Sequence, residues 1–402
     1  MSRRIAVFTG NRAEYGLQRP IISAIKNHPN LDYQLVVSGA HLDTNFGNTL
    51  AEIVQDGFEI AVEVQIEMDG SALNGTATAI GTGVIAIGEA LQQLKPDMLV
   101  VYADRFEGFA AVVAGSQMNI PVAHIEGGDL TEGGALDDSI RHAMTKLSHL
   151  HFTTNLQATN RVLGMGEEAW RVFTVGLPSN DLIKNGEYAT REEVFERLTL
   201  TAERPIVIFT QHSVTTEFDQ AGAQVVPSLD ALSRLADEGV QVIVTYPNND
   251  AGSDQIIDRI RAVSHANIQV RPSLGRHLYH GVLGLALDRS LRVACAGNSS
   301  SGIKETPMFG CPTVNVGSRQ QGRLRGDNVL TVDYSSEEIY SAIHRCLFDG
   351  PFREECFKTS SPYYMEGSAS RIAEVLASIP LDRKLLQKTM TLQGEEQNGW
   401  HR

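Results

Sequence analysis

Short apolar runs that end abruptly in polar clusters recur along the chain, and they constrain the fold more than any other feature. Between them lie segments of helical length, among them 17–27, 140–163 and 221–238. Runs of this kind that alternate with helices are typical of buried parallel strands in βα units. The predicted fold class is therefore α/β, with strands inside 5–16, 98–107, 121–129, 173–181, 205–213, 241–250, 292–302 and 312–322.

The length and the internal similarity of the chain predict two domains. At roughly 150 residues per domain, 402 residues exceed a single domain of ordinary size. Both halves open with a strand that ends in threonine and a polar loop, at Thr9-Gly10-Asn11-Arg12 and Thr210-Gln211-His212-Ser213. We predict a first doubly wound domain over 1–185, a second over 200–366, a linker over 185–204 and a polar tail over 387–402.

Composition excludes several classes of protein. Hydrophobic residues make up 42% and charged residues 20% of the chain, as in globular proteins. The net charge of −14 leaves no broad basic surface for nucleic acid. The N-terminal apolar run, Ile5 to Phe8, is too short for a signal peptide, and the longest uncharged stretches contain polar residues. We therefore expect a cytoplasmic protein that binds neither nucleic acid nor membranes.

The familiar cofactor and catalytic motifs are missing from the sequence. It contains no GxxxxGK[ST], no GxGxxG in the register of a dinucleotide turn, no HExxH and no GxSxG. The four cysteines have no CxxC spacing, and the pairs His149/His151 and His277/His280 lack a carboxylate at ligand spacing. We predict that the protein uses no cofactor and no metal.

One serine-rich segment predicts an anion site. GNSSSGIKE (297–305) follows an apolar run and precedes helix-like residues, so its amides and hydroxyls would surround a helix N-terminus. A simple serine cap is the alternative interpretation. The next strand exit adds Arg319, Arg323 and Arg325, and cations at the same edge favour a diphosphate over capping. In an acidic chain without a P-loop, this pattern indicates a metal-free nucleotide-sugar site.

The first half of the chain supplies carboxylates at strand exits. Asp104 and Glu126 follow neighbouring predicted strands, and Asp137 and Asp138 open a predicted helix. Each of these acids alone is more often a helix cap or a surface residue. Because the carboxyl ends of parallel strands meet at one edge of a sheet, we expect Asp104 and Glu126 to converge. Together they would serve as acid and base groups at a glycosyl centre.

Six longer motifs carry a resemblance to a known family. They are TGNRAEYG (9–16), YADRFE (102–107), HIEGGDLTEGGALDDSIRHAMTKLSHLHF (124–152), GLPSNDLI (176–183), GNSSSGIKETP (297–307) and VNVGSRQQGR (314–323). Over residues 3–378 the chain resembles the hydrolysing UDP-N-acetylglucosamine 2-epimerases of sialic-acid-type sugar biosynthesis. HIEGG and DDSIRH resemble the hydrolysing branch, since non-hydrolysing bacterial epimerases typically read HVEAG and PEE at these places.

The resemblance implies a fold, an assembly and a set of site residues. It implies two Rossmann-like domains facing a substrate cleft in a glycosyltransferase-B-like fold, with a helix over 367–380 packing back on the first domain. The implied assembly is a homodimer or homotetramer. Ala103 stands where the family usually has glycine, and 276–292 departs from the usual run. The implied catalytic residues are Asp104, Glu126 and Asp137, and the implied UDP-binding residues are Arg12, Arg105, His212, Asn248, Ser299, Ser300, Glu305 and Arg319.

The implied reaction converts UDP-N-acetylglucosamine into UDP and N-acetylmannosamine by elimination to a glycal and hydration of that glycal. The C2 proton lies beside an acetal carbon, so direct deprotonation has no resonance-stabilised anion to pass through. We expect Asp104 and Asp137 to serve the elimination and Glu126 the hydration. The close alternative is the same reaction on UDP-2,4-diacetamido-2,4,6-trideoxyglucose, of the legionaminic-acid type. Two further alternatives are a nucleotide-sugar sensor without turnover and a true glycosyltransferase.

Overall fold

The chain divides into two compact units in the computed structural model, which describes residues 2–42, 49–67, 74–131, 136–248 and 250–391. Unit 1 comprises Met1–Asp129, Leu136–Asp181 and Met365–Arg402, and unit 2 comprises Leu130–Ala135 and Leu182–Tyr364. The last segment of the chain therefore belongs to the same unit as the first.

Unit 1 is built on a parallel sheet. Its strands are β1 (Arg3–Thr9), β2 (Leu31–Ser38), β3 (Ile60–Val64), β4 (Met98–Tyr102), β5 (Val122–Ile125), β6 (Leu150–Thr153) and β7 (Val172–Thr174). Among the described residues they form one seven-stranded sheet in the order β3-β2-β1-β4-β5-β6-β7, with every pairing parallel. The carboxyl ends of all these strands consequently lie at one edge.

Unit 2 repeats the design with its own parallel sheet. Its strands are β8 (Ile206–Thr210), β9 (Gln241–Thr245), β10 (Ile268–Arg271), β11 (Val293–Gly297), β12 (Thr313–Val316) and β13 (Val329–Val332). In the part of the chain that the structure describes, these six strands pair in parallel in the order β10-β9-β8-β11-β12-β13. Strand order reverses beside β8, where ligands of open α/β sheets usually bind.

The helices alternate with the strands along the chain. In chain order they are α1 (Arg12–Asn27), α2 (Thr49–Gln55), α3 (Gly75–Leu94), α4 (Phe106–Gln117), α5 (Leu136–Leu147), α6 (Leu156–Gly164), α7 (Ser179–Lys184), α8 (Arg191–Leu198), α9 (Ala221–Gln224), α10 (Val226–Asp237), α11 (Ser253–Arg261), α12 (Gly275–Gly284), α13 (Ser301–Lys304), α14 (Ser336–Phe348), α15 (Gly350–Lys358), α16 (Ser368–Ser378) and α17 (Arg383–Leu386). The unit boundary after Asp181 falls within α7.

Helices cover both faces of each sheet. In unit 1, α1 and α16 pack on the face that carries Ile5, while α3 and α4 pack on the face of Ala6. In unit 2, α10 and α14 pack against the face of Val207, and α8 and α12 against that of Ile206. Neighbouring strand residues thus point into opposite cores, and each large buried apolar side chain contributes roughly 1.5–3 kcal/mol. The predicted α/β class, with two doubly wound units, is confirmed.

Two predicted segments have a different structure. Residues 140–163, predicted as helical, contain α5, β6 and α6. The sequence analysis did not predict β6, because its four buried residues lie between two amphipathic helices. Residues 185–204, predicted as a linker, are part of unit 2, where Val194 and Leu198 of α8 are fully buried in the core.

The predicted polar tail begins with residues that pack against unit 1. Nζ of Lys388 donates to the backbone oxygen of Ser148 over 2.5 Å and to the Glu167 carboxylate over 2.7 Å. The backbone N–H of Thr391 donates to the oxygen of Gly166 over 2.9 Å. Residues 387–391 are therefore anchored, whereas 392–402 lie outside the described residues. None of the described helices combines the length and apolar composition needed to cross a membrane.

Candidate functional site

The exits of β4 and β5 carry Asp104 and Glu126 at the same edge of the unit 1 sheet. These strands are neighbours, with Tyr102 opposite Ile125. Ala103, which precedes Asp104, has φ of +56°, and Glu126 itself has φ of +66°. The left-handed conformation costs a residue with a Cβ roughly 1–2 kcal/mol. Two of the five described non-glycine residues with positive φ thus lie at or beside a predicted catalytic carboxylate, and strained backbone of this kind often occurs at active sites.

A buried histidine supports the strained turn before Asp104. Nε2 of His124 lies 2.7 Å from the backbone oxygen of Ala103, and Nδ1 lies 3.1 Å from Oγ1 of Thr145. Burial lowers the pKa of His124 to about 3, so the ring is neutral at pH 7 and carries one hydrogen. Because a carbonyl oxygen can only accept, that hydrogen is on Nε2. The Thr145 hydroxyl therefore donates to Nδ1, and the ring links α5 to the Asp104 turn.

Arg141 joins two of the acidic residues. Its side chain is 1% exposed, and its guanidinium donates to Oδ2 of Asp104 and, over 2.9 Å, to Oδ1 of Asp138. It also donates to the backbone oxygen of Asp129 over 2.8 Å. Half-buried Asp137 lies in the same first turn of α5 as Asp138. The sequence analysis missed Arg141, although an arginine one turn after paired acids in DDSIRH is the spacing of such a bridge.

A second pair of carboxyl groups, which the sequence analysis also missed, lies at the exit of β1. Oε2 of Glu14 accepts from the backbone N–H of Gly10 over 2.9 Å. The side chain of Glu107 lies against Gly10 and Gly39, where an added Cβ would come within 3.1 Å of it. Burial, followed by the nearby charge of Glu107, raises the pKa of Glu14 to about 8, and burial also raises the pKa of Glu107. A protonated Glu14 can therefore support the Gly10 loop without repelling its neighbour.

Two of the predicted UDP-binding arginines belong to unit 1. Arg105 precedes α4, its Nε lies 3.7 Å from Oε2 of Glu107, and its guanidinium lies 5.8 Å from the Phe106 ring. Arg12 begins α1, but its side chain is outside the part that the structure describes. Arg105 therefore connects the β4 exit to the buried carboxyl pair.

Asn298 ties two strand exits together in unit 2. Its Oδ1 accepts from the backbone N–H of His212 over 2.6 Å, and its Nδ2 donates to the backbone oxygen of the same residue over 2.9 Å. Gly297, the residue before it, has φ of +118°, and a Cβ there would collide with the backbone oxygen of Thr210. Glycine is required at this close approach of β8 and β11. Asn298 is a further residue that the sequence analysis did not assign.

His212 is held in a single tautomer. Its Nδ1 accepts from the backbone N–H of Asn248 over 2.9 Å. Burial, followed by the charge of Arg319, lowers the pKa of His212 to about 3. The ring is therefore neutral at pH 7, with its hydrogen on Nε2, and it can donate to a phosphate or sugar oxygen. The exits of β8 and β9 bring the two predicted residues His212 and Asn248 into direct contact.

Arg319 follows β12 and reaches the same group of strand exits. Its Nη1 donates to the backbone oxygen of Asn298 over 3.3 Å, and Nη2 lies 3.9 Å from Oδ2 of Asp250. Gln320 donates to the same oxygen of Asn298 over 2.8 Å. The Arg319 side chain is only 13% exposed, so its cation is held beside the residue that precedes Ser299 and Ser300.

The other two arginines of the predicted cluster have hydrogen-bond partners other than Asn298. Arg323 donates to the backbone oxygen of Leu130 over 2.5 Å and to Oγ1 of Thr131 over 2.9 Å. Exposed Arg325 donates to Oγ1 of Thr331 over 2.8 Å. Arg323 also donates to Oε1 of Gln320 over 2.6 Å. Among the described contacts, Arg319 is thus the one of the three predicted arginines that bonds Asn298 directly.

The serine-rich segment forms only a short helix. The predicted helix after Ser299 and Ser300 is α13, which has four residues, so it contributes little of the dipole that a longer helix would supply. Oγ of Ser301 donates to Oε2 of Glu305 over 2.5 Å, and Nε2 of His280 lies 3.2 Å from the same oxygen. Hydroxyls, local amides and Arg319 are thus the anion donors that the segment provides.

No metal site is found within the described ranges: no three His, Cys, Asp or Glu side chains there could hold an ion together. The four cysteines are all buried thiols. The described side chains place acid–base groups in unit 1 and anion donors in unit 2.

Comparisons with known proteins identify the family of the chain. A family model described as UDP-N-acetylglucosamine 2-epimerase matches residues 23–377. The chain belongs to this family. It is 33% identical over 380 residues to a UDP-N-acetylglucosamine 2-epimerase of Neisseria meningitidis serogroup B, covering 93% of this chain and 95% of the relative. It is also 33% identical over 389 residues to a UDP-N,N'-diacetylbacillosamine 2-epimerase (hydrolyzing) of Legionella pneumophila, covering 96% and 99%.

Solved structures of other epimerases share the fold. A crystal structure of UDP-GlcNAc 2-epimerase from Neisseria meningitidis, bound to UDP-GlcNAc, matches with a TM-score of 0.77 at 16% identity, covering 93% of this chain and 99% of that one. The predicted glycosyltransferase-B-like fold and the predicted family are confirmed. The chain is thus a member of an enzyme family of UDP-sugar 2-epimerases.

Proposed function

We propose that this family member is a hydrolysing UDP-N-acetylglucosamine 2-epimerase, which converts UDP-N-acetylglucosamine and water into N-acetylmannosamine and UDP. The observation that carries the proposal is the bridge of Arg141 between Asp104 and Asp138, at the sheet edge that also carries Glu126. The bridge fixes the Asp104 carboxylate in place, as proton transfer to and from a sugar requires. The Legionella relative, which is named as a hydrolyzing 2-epimerase, supports the same reaction class.

The first step is elimination of UDP. The C1–O bond to the diphosphate breaks, the C2 hydrogen leaves as a proton, and its electron pair forms the C1–C2 double bond of 2-acetamidoglucal. Positive charge that develops at C1 acidifies the C2 hydrogen. We assign the proton movements of this step, or the stabilisation of C1, to Asp104 and Asp137. Because Arg141 and the Ala103 turn both hold Asp104, its carboxylate is oriented before the substrate arrives.

The second step is hydration of the glycal. A proton is added to C2 from the face that inverts its configuration, and water adds to C1, which yields the free sugar. We assign the C2 protonation to Glu126. This residue follows β5 directly and has a left-handed backbone conformation. No electrons are exchanged with a cofactor in either step, so the residues need to supply only proton transfer and charge stabilisation.

Release of UDP requires donors for the leaving diphosphate. We assign this role to Nε2–H of His212, to Ser299 and Ser300, and to Arg319, which share the Asn298 junction of unit 2. Preorganised donors of this kind supply a few kcal/mol of transition-state stabilisation. The remaining UDP contacts are assigned to Asn248 and Glu305 in unit 2 and to Arg12 and Arg105 in unit 1.

Arg319→Ala is expected to weaken UDP binding roughly 10- to 150-fold, because losing a charge-assisted bond to phosphate costs about 1.5–3 kcal/mol. Titration calorimetry with UDP alone measures the change. Arg325→Ala is the matched control, since it removes the same charge from the same loop at an exposed position, and it should leave the affinity unchanged. An Arg319→Ala variant with wild-type affinity would mean that the diphosphate binds elsewhere.

A second candidate substrate is UDP-2,4-diacetamido-2,4,6-trideoxyglucose, because the Legionella relative named for the diacetylated sugar is as similar to this chain as the Neisseria relative. Incubating the protein with each nucleotide sugar separately and following proton NMR distinguishes the two. We expect UDP-N-acetylglucosamine to give UDP and N-acetylmannosamine without added metal or nicotinamide. Inert UDP-N-acetylglucosamine, together with rapid consumption of the diacetamido sugar, would establish the second candidate.

A further inference from the structure

The last described residues of the chain form a strap on unit 1, which we define as residues 382–391. Asp382 caps its short helix α17 by accepting from the N–H of Leu385. The guanidinium of Arg171, which is fully buried, donates to the backbone oxygens of Lys384, Leu385 and Gln387 over 2.7–2.9 Å. A single buried cation thus fixes the path of the strap.

Lys388 of the strap reaches the carboxyl end of helix α5. Its Nζ donates to the backbone oxygens of Lys146 and Ser148 over 2.8 and 2.5 Å, and the backbone oxygen of Thr145 lies 3.3 Å from it. These carbonyls belong to the last turn of α5 and the residue after it, where the last four carbonyls of a helix have no partner within the regular helical hydrogen-bond pattern. Burial lowers the pKa of Lys388 to about 8, which leaves it an ammonium at pH 7. A cation at this position stabilises a helix end.

A buried carboxylate holds Lys388 in place. Oε2 of Glu167 lies 2.7 Å from Nζ of Lys388 and 2.9 Å from Nε2 of His151, and Oε1 lies 2.6 Å from Nζ of Lys146. Burial alone would raise the pKa of Glu167, but hydrogen bonds from His151, Lys146 and Lys388 lower it to about 2. Burial lowers the pKa of His151 to about 4, so a neutral imidazole donates to a charged carboxylate. The lysine therefore has a fixed counter-ion.

Two residues of α5, Arg141 in its middle and Thr145 in its last turn, are connected to Asp104 or to the turn before it. The last turn reaches it through Thr145, whose hydroxyl bonds His124, which in turn bonds the backbone of Ala103. The first half of the helix reaches the Asp104 carboxylate through Arg141. A shift of α5 along its axis would disturb both connections, because packed cores transmit small displacements.

We propose that Lys388 is a positioning residue for Asp104, and that the strap supports the reaction by clamping the carboxyl end of α5. This inference rests on the proposed role of Asp104 in eliminating UDP. It gives the C-terminal segment a part in turnover although no strap residue touches a predicted catalytic carboxylate among the described residues.

Lys388→Met is expected to lower kcat roughly 5- to 30-fold. This range corresponds to the stabilisation that a cation provides at a partly buried helix C-terminus, converted into a ratio of rates. KM and the UDP dissociation constant should stay close to wild type, because most of the assigned UDP contacts lie in unit 2. Lys388→Arg should restore most of the rate. Lys384→Met is the matched control. It removes an exposed lysine from the same strap, whose Nζ lies 4.9 Å from the centre of the Trp170 ring, and kcat should not change.

A double-mutant cycle tests the route. Thr145→Val removes the hydroxyl that bonds His124. If both residues act by the same route, the loss of kcat in the double variant should be smaller than the product of the fold-losses in the two single variants. All rates are normalised to the UDP-binding stoichiometry from calorimetry, so that unfolded protein does not count as lost turnover. Unchanged kcat in Lys388→Met, no rescue by arginine, or an equal loss in Lys384→Met would overturn the proposal.

Amide hydrogen exchange tests the clamp without turnover. Lys388→Met should speed exchange in 144–148 and also in 103–107, and unchanged exchange at 103–107 would overturn the proposal whatever the substrate is. A wild-type protein that releases no UDP from either nucleotide sugar would refute the proposed function instead. The two failures are therefore distinguishable.

Discussion

Asp104→Asn is expected to lower the rate of UDP release by about 10²- to 10⁴-fold, the usual loss when a positioned acid–base group is removed. Asparagine has nearly the same shape and keeps an oxygen for the bond from Arg141. It cannot accept a proton at neutral pH or offset positive charge at C1. The affinity for UDP should stay close to wild type, because the assigned diphosphate donors lie in unit 2.

The measurement is UDP release from UDP-N-acetylglucosamine under saturating conditions, with UDP binding measured by calorimetry on the same preparation. Asp32→Asn is a matched control, since Asp32 is exposed at the start of β2, the opposite end from the strand exits. It removes one carboxylate from the same sheet and should turn over normally. Wild-type release by Asp104→Asn would remove this carboxylate from the elimination step.

Glu126→Gln is expected to separate the two steps of the reaction. If Glu126 protonates C2 during hydration, the variant should still release UDP but should accumulate free 2-acetamidoglucal. Glucal added to the variant should stay unhydrated, with a loss of about 10²- to 10⁴-fold in hydration rate. Proton NMR detects the vinyl hydrogen of the glucal directly. A variant that forms N-acetylmannosamine at the wild-type rate would contradict this assignment.

The reaction run in deuterated water tests the elimination route directly. The control is Glu89→Gln, which changes an exposed residue of α3. Under any elimination route, the product of the wild type and of the control should carry deuterium at C2. If C2 keeps its original hydrogen throughout, cleavage of the C–H bond followed by protonation from solvent is wrong. The roles proposed for all three carboxylates would then fail together.

The sequence was sufficient for the fold class and for several strand exits. Continuous apolar runs such as those before Asp104 and His212 predict strands that are buried on both faces, and the structure confirms them as β4 and β8. Three strands were not predicted that lie at sheet edges and are only partly buried, namely β3, β10 and β13. Their apolar pattern is diluted because one face or edge is in contact with solvent.

The sequence analysis also identified residues of the candidate site that are in contact in the structure, such as His212 and Asn248. It did not reveal the residues that hold them. Arg141 bonds Asp104 across 37 positions of the chain, and Asn298 bonds His212 across 86. Such pairs depend on the order in which parallel strands are laid side by side, which local periodicity does not encode.

By itself, the sequence determined that this protein is an α/β chain with acids and anion donors after its strands, because those features follow from the local alternation of apolar and polar residues. Only the tertiary structure decided that Ala103 and Glu126 have left-handed backbones, and that Arg319 reaches Asn298 while Arg325 bonds Thr331. It also decided that Lys388 caps a helix 240 residues earlier in the chain. These outcomes depend on which distant segments the packed core brings together, and that choice is made by the free energy of the whole fold.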